Sequence, residues 1–381
     1  MASQVPSGEN FRLHETAPGV VAGRVSVVIP AFNCAGTVGP AIESCLAQDY
    51  ADFEVVVVND GSTDRTGEVL SSFDQRIVVV NQANGGLAAA RNAGQRHSTG
   101  EFVAWMDADD LMLPGRLRRQ AAVLTLRPDV GLVSSDFTAF VTPDADLESS
   151  HIGSYYDAVS RLGGIRNLYP HPLPGLGSGE GGVRVGRVYE DLVWGNFVHP
   201  PTVMARRTIL DAAGDSDESL RYTSDYDLIV RMARLAEFAF VDAPLLRYRR
   251  SDGQMSRVHA GERMQLEGIR ILQKLRHDDP EAYARLTPVI RRRFAESHIA
   301  AADEIGATDR SRALGHIYQG LRWKFLAGPA ALAFGRIITT PALVQTIKHA
   351  LRIVGIRWAI LLCSLLWPDG LAISMFGLDT F

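Results

Sequence analysis

The sequence predicts an α/β protein built on a mostly parallel sheet with flanking helices, and three observations carry that reading. Short Val-rich runs alternate with amphipathic stretches of helical length, the pattern of βαβ units. The runs lack period-two alternation, as strands buried on both faces do. They end in polar or acidic clusters, and open α/β sheets bind ligands at the carboxyl ends of their strands.

Taken in order, Met1 to Gly23 is polar, has no apolar secretory core, and reads as a loosely ordered leader. Arg24 to Pro30 is a strand, because four of the five residues from Val25 to Ile29 are apolar and three of those are Val. Ala31-Phe32-Asn33 is its loop. A helix follows from about Thr37 to Gln48, with Val38, Ile42, Cys45 and Leu46 on one face. Phe53 to Val58 is the second strand, and Asn59 to Asp64 its turn. Helix Arg65 to Phe73, strand Arg76 to Val80, the Gly85-Gly86 turn and helix Leu87 to His97 come next. The strand Val103-Ala-Trp-Met-Asp107-Ala108-Asp109-Asp110 then runs into three carboxylates.

Convergent carboxylates repel one another unless a cation neutralises them. Oxygen-only ligands suit Mg²⁺ or Mn²⁺, which bind through one or two carboxylates plus substrate phosphates. The competing reading has Asp109 or Asp110 capping the helix that Pro114 helps to start. That helix is expected over Arg116 to Leu126, with a strand over Val130 to Ser134. From Thr142 to about Arg187 the pattern dissolves into Gly, Pro and Ser, which reads as a functional lid or a disordered segment. Val188 to Trp194 and His199 to Met204 restore order. Thr223 to Ala233 is a helix opened by acids. Phe238 to Val241 is a short strand, ending in Leu245-Leu-Arg-Tyr-Arg249.

Beyond about His259 the pattern turns almost wholly helical, so the boundaries read as 24–258 for the α/β domain and 259–381 for a helical region. Arg291 to Arg293 reads as a solvated helix face. From Leu321 onward six basic residues face two acidic ones, a net charge of +4, interleaved with aromatic residues. The apolar runs there, 325–335 and 358–367, are too short to span a bilayer. They suit either an interfacial anchor on anionic lipid or an ordinary buried helical subdomain.

Composition excludes several classes. A chain of 381 residues accommodates two domains. A net charge of −4 gives no basic footprint for nucleic acid. The three cysteines, Cys34, Cys45 and Cys363, have no metal-ligand spacing and fit a reducing compartment, so a cytoplasmic location is expected. No G-x-G-x-x-G follows the first strand and no Gly-Lys-Ser/Thr occurs, which removes dinucleotide oxidoreductases and P-loop ATPases. A nucleotidyltransferase would want a Gly-rich, Arg/Lys-bearing loop after the first strand, and none is present.

Four segments in order, Val25 to Asn33, Val55 to Asp64, Asn84 to Gly94 and Asp107 to Asp110, closely resemble the family 2 glycosyltransferases. The resemblance covers roughly residues 24 to 256. It implies the GT-A fold and an inverting enzyme that uses a nucleotide-diphosphate sugar. On that resemblance Pro30, Ala31, Phe32, Asn33 and Asp60 line the nucleobase side, with Asp60 accepting a uracil N–H and so favouring a UDP-sugar. Gly85 and Gly86 let backbone approach the nucleotide, and Arg91 pairs with the diphosphate or with an Asp of the site. Asp107 contacts the ribose beside Ala108, and Asp109 holds the divalent metal. Asp225 matches the second acid of the family's Glu-Asp base motif, with Asp227 as runner-up.

Two departures stand out. Ser224 occupies the place of the family's Glu, and Ser251 the place of a His that can join the metal or diphosphate site. His199 is then a candidate helper at the metal. The acceptor expected is a saccharide or a lipid-linked hydroxyl, in cell-surface polysaccharide or glycolipid synthesis, with the tail docked on the inner face of the membrane. The alternative is a catalytically weak nucleotide-sugar-binding or scaffold protein of the same fold.

Overall fold

The computed structural model describes residues 19–142, 145–148, 152–176, 182–250, 261–305 and 308–325. The chain divides into two compact units, Met1–Ser251 and Asp252–Phe381.

The first unit is organised around one mixed sheet, eleven-stranded among the described residues, in the order β3-β2-β1-β4-β10-β6-β11-β9-β8, with β5 on β11 and β7 on β6. Its first half is β1 (Val21–Ala31), β2 (Phe53–Asp60), β3 (Val78–Gln82) and β4 (Gly100–Trp105), all parallel. Val25, Val27, Val28 and Ile29 of β1 and Val56, Val57 and Val58 of β2 are fully buried, as the unbroken apolar runs required. Helices α1 (Val38–Leu46), α2 (Thr66–Ser71) and α3 (Leu87–Arg96) provide the crossovers.

Helix α3 sits very close to the sheet. A Cβ at Gly94 would come within 2.3 Å of Val28 Cγ1 and 3.2 Å of Val58 Cγ2, so only hydrogen fits there. Ala90 and Ala93 complete that small-residue face.

The second half of the sheet is mixed. After β5 (Leu111–Met112) and α4 (Arg116–Leu126), strand β6 runs over Val130–Thr142, well past the predicted end at Ser134. Strand β11 (Glu237–Arg249) lies parallel to β6 with register shifts around Pro244, and runs well past the short strand predicted at Phe238 to Val241. Between β4 and β6 lies β10 (Met204–Arg206), antiparallel to both.

The stretch from 142 to 187 is not structureless in its described parts. It holds β7 (Ala145–Glu148), α5 (Ile152–Tyr155), α6 (Asp157–Arg161), α7 (Ile165–Leu168), β8 (His171–Leu173) and β9 (Val183–Gly186). Each piece is too short to show a period of its own. Strands β7 and β9 are held by pairing to β6 and β11. Helices α8 (Tyr189–Leu192), α9 (Arg207–Ala213) and α10 (Ser224–Leu235) complete the unit.

The second unit contains α11 (Gly261–Asp278), α12 (Pro280–Ile305) and α13 (Arg310–Phe325). On α12, Arg292 is exposed and pairs with Glu296 at 2.8 Å. His298 of α12 and His316 of α13 meet Nδ1 to Nδ1 at 3.0 Å, and His316 Nε2 lies 2.8 Å from Glu262 of α11. Burial first, and His316 second, push the His298 pKa down to about 4. Among the described residues no helix is long and apolar enough to cross a membrane. The tail beyond residue 325, with most of the interfacial-anchor expectation, and position 251 lie outside the described residues.

Candidate active site

The site forms where β1, β2 and β4 end. At the end of β2, Asp60 is 3% exposed and its carboxylate organises the neighbouring loop. Its Oδ1 accepts Gln82 Nε2 at 2.7 Å and the Gly85 N–H at 2.8 Å, and its Oδ2 accepts the Gly86 N–H at 2.8 Å. Gly86 turns the chain into α3 at φ +86°, a conformation costly for any residue with a Cβ. The structure therefore gives Asp60 a loop-holding role that the sequence did not suggest. Gln82, its third partner, carried no signal in the sequence.

The loop after β1 is tied to the same region. Asn33, at φ +48°, accepts the Thr63 N–H on its Oδ1 at 2.8 Å, and its own N–H donates to Ser62 Oγ at 3.1 Å. Pro30 and Ala31 close β1, Ala31 buried, while Phe32 stands 49% exposed.

The acid turn at the end of β4 sorts its three carboxylates into different environments. Asp110 is fully buried and does not cap α4, whose N-cap is Gly115. Its Oδ1 instead accepts the Arg249 N–H at 2.8 Å, while Arg249 Nε donates to the Asp109 carbonyl at 2.8 Å. Burial, then the charges of Asp109 and Asp107, raise the Asp110 pKa well above the ordinary aspartate range. Below the turn, buried Arg116 donates to the Trp105 carbonyl at 2.9 Å and the Val203 carbonyl at 3.2 Å. Asp109 is driven up to about 6, by burial first and by Asp107 second. Asp107 and Asp109, flanking buried Ala108, are the pair whose repulsion a hard cation would relieve. Among the described residues no group of three or more His, Cys, Asp or Glu side chains makes a full metal cage. The donor set fits a cation that takes its remaining ligands from substrate oxygens.

Arg91 connects this turn to the far side of the site. It is 2% exposed, packed with its guanidinium carbon 5.2 Å from the Trp105 ring centroid. Its Nη2 lies 3.2 Å from Asp107 Oδ1 and its Nη1 lies 3.6 Å from Asp225 Oδ2. Nε and Nη1 make no hydrogen bond among the described residues. Asp225 sits in the first turn of α10, where its Oδ1 accepts the Tyr226 N–H at 2.7 Å. Burial raises its pKa, and the Arg91 charge opposes that rise. Asp227 faces elsewhere, being 2% exposed and paired with Arg231 at 2.9 Å. Ser224, also buried, is the first residue of α10.

His199 is not found among the carboxylates but in an aromatic cluster. It stacks on Phe137 at 3.9 Å between centroids, and its Nδ1 lies 3.0 Å from the Tyr156 hydroxyl. Tyr155 and Tyr248 meet it edge-on. Tyr155 and Tyr156 are adjacent, but Phe137, His199 and Tyr248 come from distant positions, so the cluster has no spacing of its own in the sequence.

The family model of glycosyl transferase family 2 matches residues 26–161. Residues 26–161 are thus similar in sequence to the glycosyl transferase family 2 domain. An uncharacterized glycosyltransferase of Rickettsia typhi is 28% identical over 245 residues, covering 64% of this chain and 70% of the relative. One from Rickettsia prowazekii is 28% identical over 238 residues, covering 62% and 65%. The crystal structure of S. aureus TarS superposes with a TM-score of 0.50 at 18% identity, covering 87% of this chain and 55% of that one. At that identity the likeness speaks to the fold, which is GT-A, and the glycosyltransferase assignment rests on the sequence matches.

Proposed function

We propose that this glycosyltransferase is an inverting enzyme that moves a sugar from a nucleoside-diphosphate donor, a UDP-sugar by preference, to a hydroxyl of a saccharide or lipid-linked acceptor. The observation that carries the reading is Arg91, a buried cation set between Asp107 at a strand end and Asp225 across the site. Inversion is one in-line displacement, so it needs a leaving-group side and a base side held at a fixed separation. One guanidinium that touches both sides supplies that separation.

Asp225 takes the acceptor proton. Burial makes its carboxylate a better base than an aspartate in water, and the Arg91 charge keeps it ionised. Arg91 offsets the charge of both carboxylates and so keeps the donor side and the acceptor side in register. Asp60 holds Gly85 and Gly86 so that backbone can approach the nucleotide, with Pro30, Ala31, Phe32 and Asn33 on the base side. Asp107 meets the ribose. Asp109 would hold Mg²⁺ or Mn²⁺, which when bound offsets the negative charge that builds on the departing diphosphate.

The test is Asp225→Asn with turnover and donor binding measured separately. Turnover is expected to fall by roughly 10²- to 10⁴-fold while UDP-sugar binding persists. Near-normal turnover overturns the base assignment. A parent chain that binds UDP-sugar with Mn²⁺ but never turns it over is a binding protein instead. Because Asp225 titrates above the ordinary range, the acid limb of kcat is expected above that range as well, with rate lost as pH falls through it.

A further inference from the structure

The residue after Arg91 on α3 is Asn92, 1% exposed, with its whole carboxamide engaged. Its Nδ2 donates to the Ser216 carbonyl at 3.0 Å and to Glu218 Oε1 at 3.1 Å, and its Oδ1 accepts the Ser216 N–H at 2.8 Å. Asn92 thus grips both main-chain groups of one distant residue. Asparagine is a weak choice inside a helix, because its amide competes for nearby backbone. Here the amide is spent instead on a partner 124 positions away.

Ser216, itself 4% exposed, lies between α9 and α10 in a stretch with no helix or strand of its own, and Asp225 follows nine residues later. Arg231 of α10 reaches back to the residues just before Ser216. It donates to the carbonyls of Ala213, of Gly214 at 3.3 Å and of Asp215 at 2.8 Å. Whatever holds Ser216 therefore also holds the helix that carries Asp225. Helix α3 is a firm base for that hold, since Gly94 lies too close to Val28 and Val58 to admit a Cβ.

Two neighbouring buried residues of α3 thus meet the α10 assembly. Arg91 Nη1 lies 3.6 Å from Asp225 Oδ2, and Asn92 holds Ser216. The exposed Arg96–Asp215 pair at 3.0 Å adds little, being in water. Successive helix residues project about 100° apart, so the two buried contacts reach different parts of the assembly. A single charge contact leaves α10 free to pivot about it. A second, hydrogen-bonded contact removes the pivot.

We infer that Asn92 is a positioning residue, which acts through Ser216 and Arg231 to set where Asp225 stands against Arg91. The inference rests on the proposed function for what Asp225 does there, while the mechanical link is independent of it. In-line displacement tolerates little error, and a base misplaced by about 1 Å costs about 10²-fold.

The experiment is a pair of double-mutant cycles on the full chain, combining Asn92→Ala with Asp225→Asn. In urea unfolding, loss of Asn92 slackens the contact between Asp225 and Arg91. The factor by which Asp225→Asn changes the unfolding constant is therefore expected to differ at least about threefold between the parent and Asn92→Ala backgrounds. The second cycle follows UDP release from UDP-glucose and UDP-N-acetylglucosamine with Mn²⁺. There Asn92→Ala is expected to lower kcat about 10- to 100-fold, with donor KM and calorimetric UDP affinity within about twofold of the parent. In the Asp225→Asn background it is expected to add nothing. Asn92→Asp keeps the bond from the Ser216 N–H and loses both donations, so an intermediate fall is expected, and it replaces an Ala variant that does not fold.

Additive unfolding effects overturn the inference, whether or not the chain turns over either donor. Unchanged kcat in folded Asn92 variants, or a fall matched by lost UDP binding, overturns it as well. Near-normal turnover by Asp225→Asn alone overturns the base assignment instead, and the unfolding cycle still decides whether Asn92 places that carboxylate.

Discussion

The two halves of the sheet solve different problems. In the half made of β1 to β4, the strands are parallel, the crossovers short, and each loop that builds the site follows directly from a strand end. In the half made of β6, β9, β10 and β11, directions are mixed and site residues come from distant elements. The first half is a regular frame that presents backbone and carboxylates. The second is an assembly in which a base on α10 and rings from α5, β6 and β11 are brought together only by tertiary contact. Arg91 joins a strand-end acid of the first, Asp107, to Asp225 on α10 of the second.

Breaking that link gives the largest effect expected. Arg91→Met keeps the bulk but strands the carboxylates of Asp107 and Asp225 without their cation. A loss of about 3–5 kcal/mol in urea unfolding is expected, together with loss of turnover. A variant as stable as the parent would mean that Asp107 and Asp225 do not need the Arg91 charge in the folded state. Asp60→Asn tests the frame alone. An amide nitrogen then faces a Gly N–H, so a loss of about 1–3 kcal/mol is expected, with weaker UDP binding in a thermal-shift assay. Asp227→Asn separates the two acids of α10. It breaks the pair with Arg231 and is expected to cost about 1 kcal/mol with turnover unchanged, in contrast to Asp225→Asn. A turnover loss at Asp227 would reverse their roles.

The smallest effect lies outside both halves. His298 takes up its proton near pH 4 in the folded chain, against 6.5 for the free side chain. Between those values the unfolded state binds more protons, so stability rises with pH there and is lost as pH falls from 6.5 toward 4. His298→Gln is expected to flatten that fall in a series of melting temperatures. An unchanged slope assigns the acid sensitivity to other groups.

The frame was far more legible in the sequence than the assembly. Unbroken Val runs announce doubly buried strands, and the alternation with helices announces parallel order. Asp107, Asp109 and Arg91 could be read as one site because short loops carry them to neighbouring strand ends. Asp225 was reachable only by resemblance, since nothing local says that its helix turns toward Arg91 while Asp227 turns away. The loop-holding role of Asp60 was hidden because an Asp-Gly-Ser-Thr turn explains itself locally. The segment from 142 to 187 was misread because its short elements draw their order from β6 and β11 rather than from any period of their own. The burial of Asp110 was missed for a like reason, as its partner, the Arg249 N–H, lies 139 positions away.

Strand β10 has a consequence for how the molecule is made. It is three residues long, it lies between β4 and β6, and it is synthesised long after both. Until it arrives, β4 and β6 each have an open margin of unpaired peptide groups, and β11, the other long partner of β6, comes later still; such margins invite pairing with a foreign strand. The nascent chain must therefore keep those margins apart from other chains while nearly a hundred residues pass from β4 to β10.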